Sequence, residues 1–337
     1  MKTKTISSSS VVGYSFGALL LGCIVYLMGS VAAARPSEWQ REWPRTDFSL
    51  HSVDYSEIQS GGPSKDGIPP IDRPQFELQS EVDGIGPLEP VVSVVIKGDA
   101  RAYPLRVLIW HEIVNDTVGG VPIAVTFCPL CNTSIIFDRR LAGQVLDFGT
   151  TGKLRRSDLI MYDRQTESWW QQFLGEGIVG KMTGKRLKMI PARLESISRF
   201  RERYPEGMVL VPKYANTRAY GKNPYEGYDT SARPFLYDGD MPKGIAPLAR
   251  VVRVGNQAWS LAMLKQKRSI TTDGGLKISW YPGQNSALDT VDIQQGTDIG
   301  NIVVVQKTGS QQEEVPYSVD FAFAFHAFRP EGVIYIR

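Results

Sequence analysis

Cysteine and histidine are scarce, with three of each in 337 residues. Cys23 lies inside an apolar N-terminal stretch, so the body of the chain keeps only Cys128 and Cys131. One pair spaced by two residues cannot staple a fold, which excludes the disulfide-rich scaffold class. It also cannot supply the four ligands of an all-cysteine tetrahedral site. An excess of one charge is missing too. Lys and Arg number 38 against 35 Asp and Glu, mixed throughout, so a nucleic-acid partner is not expected. There is no phosphate loop, no dinucleotide glycine fingerprint and no Gly-x-Ser-x-Gly elbow. Beyond residue 34 no segment is apolar enough for long enough to span a bilayer of about 30 Å. What remains is an ordinary globular composition, long enough for one large or two ordinary domains.

The N-terminus carries a three-part plan. Lys2 and Lys4 give a positive start, Val11 to Met28 is almost unbroken apolar sequence, and Ala32-Ala33-Ala34 follows the Gly29-Ser30 break. Residues 1–34 therefore read as a signal peptide or an uncleaved N-terminal membrane anchor, with residues 11–28 as the tether. A third reading, lipidation at Cys23, fits less well because the apolar run continues through Ile24-Val25-Tyr26-Leu27-Met28. Either main reading places the body in the periplasm or on the extracellular face, soluble or tethered. Residues 35–90, rich in Pro, Gly and Ser, read as an irregular lead-in. Residues 91–245 form a first unit and 246–337 a second.

From Val91 the pattern sharpens. Val92–Ile96 and Ala100–Tyr103 read as a hairpin about Gly98-Asp99. Pro104 opens a helix with Leu105, Leu108, Ile109 and Ile113 as its stripe, closing over 115–120. Val121–Phe127 and Thr133–Asp138 read as strands around a Cys128–Asn132 turn. A faint repeat links Gly98–Leu108 to Gly255–Leu264 and Gly119–Val125 to Gly274–Trp280. The expectation is a β-rich α+β fold of two related β-hairpin–helix–strand units, with no Rossmann core. In the second copy Lys267 and Arg268 replace His111 and Glu112, so that copy reads as structural and chemistry concentrates in the first.

Phe127-Cys-Pro-Leu-Cys-Asn132 is the strongest chemical signal. Its flanks are strand-like, which argues against a thioredoxin arrangement, where the pair caps a helix N-terminus. A turn presenting two sulfurs suits metal ligation, a local disulfide or a catalytic thiol, and all three stay open. Asn132 tolerates the left-handed backbone such a turn needs. Trp110-His-Glu-Ile-Val-Asn-Asp116 is the second signal: on a helix His111 shares a face with Asn115, and Glu112 with Asp116. Packing rises leave His111 roughly 10–15 Å from the sulfurs unless the chain bends. Met161 reads as core more readily than as a copper ligand. The aromatic loop Tyr220–Tyr228 suits a pocket lip or a packed loop equally.

Five ordered motifs together resemble the exported bacterial and archaeal family called domain of unknown function 3179. They are Asp66-Gly-Ile-Pro69, Ala100-Arg-Ala-Tyr-Pro-Leu105, Trp110–Asp116, Cys128-Pro-Leu-Cys131 and Met161-Tyr-Asp-Arg164. The resemblance implies export and a shared architecture from about residue 60 onward, and carries no mechanism. The family commonly has Gly after the second cysteine, where this chain has Asn132.

The leading expectation is an extracytoplasmic protein whose Cys128/Cys131 turn binds zinc, copper or iron, or undergoes thiol–disulfide exchange with a redox partner. Cys128, Cys131, His111 and Glu112 are the catalytic candidates. Cys128, Cys131, His111 and Asp116 are the metal candidates. The alternative is a non-enzymatic module that binds a glycan or protein partner, with the cysteines as a structural disulfide.

Overall fold

Glu112 decides how the first half folds. It sits at φ 58°, in the left-handed region, and stops the helix Leu105–His111 after two turns. The β-branched run that follows, Ile113–Val118, is therefore free to form a strand, and it pairs with Val121–Cys128. The expected longer helix is thus corrected. Asn115 and Asp116 are strand neighbours pointing to opposite faces, not members of a helical stripe. Pro104 ends the strand Asp99–Pro104 as the helix's N-cap rather than opening its first turn.

The structure, a computed structural model, describes residues 36–309 and 311–337. The expected leader over 1–34 and tether over 11–28 lie outside the described residues. Among the described residues no helix is long and apolar enough to cross a membrane.

The architecture is a five-bladed, β-propeller-like arrangement of sheets, 40% strand and 14% helix. This overturns the expected α+β fold of two hairpin–helix–strand units. Among the described residues each α-helix has at most seven residues, too short to form a covering layer. Stretches expected to be loop or helix pair as strands instead. One all-antiparallel sheet runs Ile58–Ser60, Phe148–Arg155, Asp158–Asp163, Trp169–Gln171, Glu176–Val179. A second runs Met189–Ile190, Thr133–Asp138, Val121–Cys128, Ile113–Val118.

Two further sheets share one wiring. In each, a central hairpin is flanked by two strands joined through a seven-residue helix, one antiparallel to its neighbour and one parallel. The hairpins are Pro90–Ile96/Asp99–Pro104 and Arg250–Val254/Gln257–Ser260. The flanking strands are Arg193–Ser196 with Met208–Val211, and Ser318–Phe321 with Val333–Tyr335. The first of these sheets gains an edge strand at Gln75–Leu78. The fifth sheet runs Ser269–Thr271, Leu276–Tyr281, Asn301–Thr308, Gln311–Glu314.

Residues 36–66 hold little regular structure but pack closely. Trp39, Trp43 and Phe48 cluster with Trp169 and Tyr162. Lys153 reaches Glu42 at 3.2 Å with its ammonium over the Trp43 and Trp169 rings. Gly152 makes this docking possible. It bulges the strand at φ +69°, and a Cβ there would stand 1.9 Å from the Pro63 carbonyl oxygen.

Candidate metal centre

The Cys-Pro-Leu-Cys segment is a turn between two buried strands. Cys128 ends the strand Val121–Cys128, and its carbonyl accepts from the Cys131 N–H at 3.3 Å. Asn132 adopts φ 52°, the left-handed conformation expected of it. Its side-chain amide donates to the Val319 carbonyl at 2.8 Å. The Phe321 N–H donates to the Cys131 carbonyl, and the Thr133 hydroxyl donates to Asp320. Asp320 in turn holds the buried Arg253 at 2.6 Å. The strand Ser318–Phe321 thus clamps the turn from outside its own sheet.

Both cysteines are free thiols, fully buried, with sulfurs 4.0 Å apart. A third ligand type joins them. One carboxylate oxygen of Asp158 lies with both sulfurs inside a 4.8 Å cluster. Asp158 follows the two-residue hairpin turn Arg156-Ser157, where both residues have positive φ, 53° and 65°. Such a turn normally uses Asn-Gly, so Arg-Ser costs roughly 1 kcal/mol per residue. The strain places the Ser157 carbonyl oxygen 3.6 Å from the Cys131 sulfur and 3.9 Å from that of Cys128.

Asp158 is half satisfied. Its Oδ2 accepts from Gln171 at 2.6 Å and from the Phe173 N–H at 2.9 Å. Its Oδ1 is buried with no hydrogen-bond partner among the described residues. Such an atom costs about 1–3 kcal/mol unless something takes it up. Burial pushes the Asp158 carboxyl up to about 6, against the hydrogen bonds to Phe173 and Gln171 and the pull of the two neighbouring thiols. Burial also raises both thiols, Cys131 well above its ordinary value.

Glu112 stands beside this cluster. Its N–H donates to Leu108 and its carbonyl accepts from the Phe127 N–H, so the helix end is tied to the residue before Cys128. Its carboxyl receives no hydrogen bond from a described residue. Burial, with Asp158 nearby, pushes it up to about 8. Glu112 and the neighbours of the ligands, Leu130 and Leu159, line a cavity of about 560 Å³. Tyr225, Tyr228, Lys153, Leu154 and Phe235 line it too. The Tyr228 hydroxyl donates to the Leu130 carbonyl at 3.1 Å. The aromatic loop therefore contributes to the cavity wall at 224–228, while Tyr220 packs on His111.

The other candidates sit elsewhere. The His111 ring bonds the Pro69 carbonyl at 2.7 Å and the Tyr220 hydroxyl at 2.8 Å, and burial lowers its pKa. Asp116 accepts from Arg101 and, at 2.6 Å, from the Tyr103 hydroxyl. Neither belongs to the cluster around the sulfurs. Met161 is core. Asp158 was not anticipated as a ligand. Its signal was a carboxylate opening an otherwise apolar strand, Asp158-Leu-Ile-Met161.

The sequence profile of a family described as "Protein of unknown function (DUF3179)" matches residues 65–332, most of the chain. The chain belongs to this family. All five motifs named above fall within or at the start of the matched region. The chain matches no curated protein and no solved structure.

Proposed function

We propose that this family member is an exported metal protein in which Cys128, Cys131 and Asp158 hold one transition-metal ion, zinc foremost, with a further position directed at the cavity. The observation that carries the reading is the pairing of two free sulfurs 4.0 Å apart with the orphaned Oδ1 of Asp158. Two thiolates on a tetrahedral zinc, each about 2.3 Å from the metal, stand roughly 3.8 Å apart. A disulfide would need about 2.05 Å. Two thiolates and a carboxylate suit zinc, copper or iron better than hard cations such as magnesium or calcium. Three protein ligands with one position left over is the pattern of catalytic rather than purely structural zinc.

The electrostatics support the same reading. Two thiols and two carboxyls share one buried region, and each is pushed toward its neutral form. A divalent cation reverses that, ionising the thiols and giving Oδ1 its partner. Thiol–disulfide exchange asks for a lowered, reachable thiol, the opposite of this environment. Export rests on Lys2, Lys4, the apolar run 11–28 and Ala32–Ala34. N-terminal sequencing of protein from its native host checks it: a mature chain beginning near residue 35 is the expected result for cleavage.

Metal analysis of protein from its native compartment tests the centre. About one equivalent of zinc, copper or iron is expected. The double variant Cys128→Ser/Cys131→Ser and the single variant Asp158→Asn should both lose it. Less than a tenth of an equivalent in the parent protein, with stability unchanged by chelator, would sink the reading.

A further inference from the structure

The cavity beside the centre has a chemical bias of its own. Its volume, about 560 Å³, falls within the ~300–1,000 Å³ typical of small-molecule sites. Most of its wall is apolar, with Leu130, Leu154, Leu159, Tyr225, Tyr228 and Phe235 among its residues. Two polar groups there have no protein partner: the Glu112 carboxyl and the Tyr225 hydroxyl make no side-chain hydrogen bond to any described residue. Glu112 is only 7% exposed, and what its carboxyl meets is the cavity and not a protein donor, so a ligand group there would take the place of solvent. The charge balance is one-sided. Glu112 and Glu226 are the acids of the wall, and Glu112 lies close to Asp158 and Cys128, whose chain neighbours Leu159 and Leu130 also line it. The cation on the wall, Lys153, is committed to Glu42 and to the tryptophan faces. A bound divalent metal would neutralise the thiolates but leave the region without net positive charge.

We propose that this cavity binds a small organic molecule with an apolar or aromatic body and an uncharged polar end, received by Glu112 and Tyr225, and that it rejects anions of the same shape. The inference deepens the metal reading, and rests on it only for what the ligand's polar end meets beyond Glu112. Aromatic walls favour a planar body. An anionic end would be desolvated against carboxyls with no free cation to receive it.

The probes are 2-naphthol, neutral at pH 7, and 2-naphthoate, similar in shape and anionic. Each is titrated calorimetrically into the full mature chain, first stripped of metal and then with one equivalent of zinc. Naphthol should bind at least tenfold more tightly than naphthoate in both states. Ser231→Trp, at an exposed wall position, should weaken naphthol tenfold or more while zinc uptake is unchanged. Phe235→Ala and Tyr225→Phe should each weaken it several-fold. Naphthoate binding as well as naphthol, or naphthol binding indifferent to Ser231→Trp, overturns the proposal. So does zinc uptake with no naphthol binding up to its solubility limit. Naphthol binding without zinc uptake upholds the cavity and removes the metal reading alone.

Discussion

Two helix ends in this molecule share a backbone and differ in chemistry. Leu105–His111 closes on Glu112 at φ 58°, and Leu261–Lys267 closes on Arg268 at φ 64°. Each closing residue donates its N–H one turn back, to Leu108 and to Leu264. Each accepts from the strand beside it, at Phe127 and at Trp280. At the first end the side chain is a buried acid next to two thiols. At the second it is an exposed guanidinium stacked on Trp280, 4.6 Å from the ring centroid. The geometry of the turn therefore does not create the site. The site arises where a left-handed helix stop is combined with a buried carboxyl and a sulfur-bearing bend. The second region also supports the first, since Asn132, Cys131 and Thr133 are all held by Ser318–Phe321.

The largest test of this division removes the clamp. Asp320→Ala strands Arg253, which is 4% exposed, and takes the acceptor from Thr133. Breaking a buried pair from one side costs about 3–5 kcal/mol. Urea denaturation should show that loss, together with reduced metal content. An unchanged midpoint would mean the two regions are energetically separate.

Glu112→Gln comes next, and its sign depends on pH. With a folded pKa of about 8 against 4.5 unfolded, Glu112 binds more protons in the native state. Its cost is absent below pH 4.5, grows through the window up to about 8 and is complete above it. In metal-free protein the substitution should therefore stabilise by as much as about 5 kcal/mol at pH 9 and by little at pH 4.5. A pH-independent difference would show that Glu112 is not held neutral. Arg268→Gln is the matched control at the other helix end.

A smaller gain is expected from Ser157→Gly. It relieves one left-handed residue and should stabilise the metal-free chain by about 1 kcal/mol, read as a rise in Tm. Arg268→Ala should cost least, about 0.5–1 kcal/mol for an exposed cation–π contact. A cost above 2 kcal/mol would make the second helix end more than a surface stack.

The sequence was readable where periodicity is local. The strand Thr133–Asp138, the strand cores at 92–96 and 121–127 and the left-handed Asn132 all follow from β-branched runs and turn chemistry. The arrangement of sheets was not readable, because it depends on pairings between distant segments such as Arg193–Ser196 with Pro90–Ile96. The end of the first helix was missed because nothing in Glu112 itself announces a left-handed residue. His111 and Asp116 looked like site residues by proximity in the chain. A helix stop followed by a strand sends them to Tyr220 and Arg101 instead. Asp158 reaches the sulfurs across two different sheets, a relation that no spacing encodes.

The aromatic packing of residues 36–66 bears on where this protein can be cut. The family match begins at residue 65, yet Trp39, Trp43 and Glu42 precede it, and Gly61 and Pro63 belong to the cavity wall. A fragment begun at the match boundary would leave Trp169 bare and Lys153 without its carboxylate. The segment that homology delimits is thus smaller than the unit that folds, and expression trials trimmed to it should yield aggregates where the chain from residue 36 yields soluble protein.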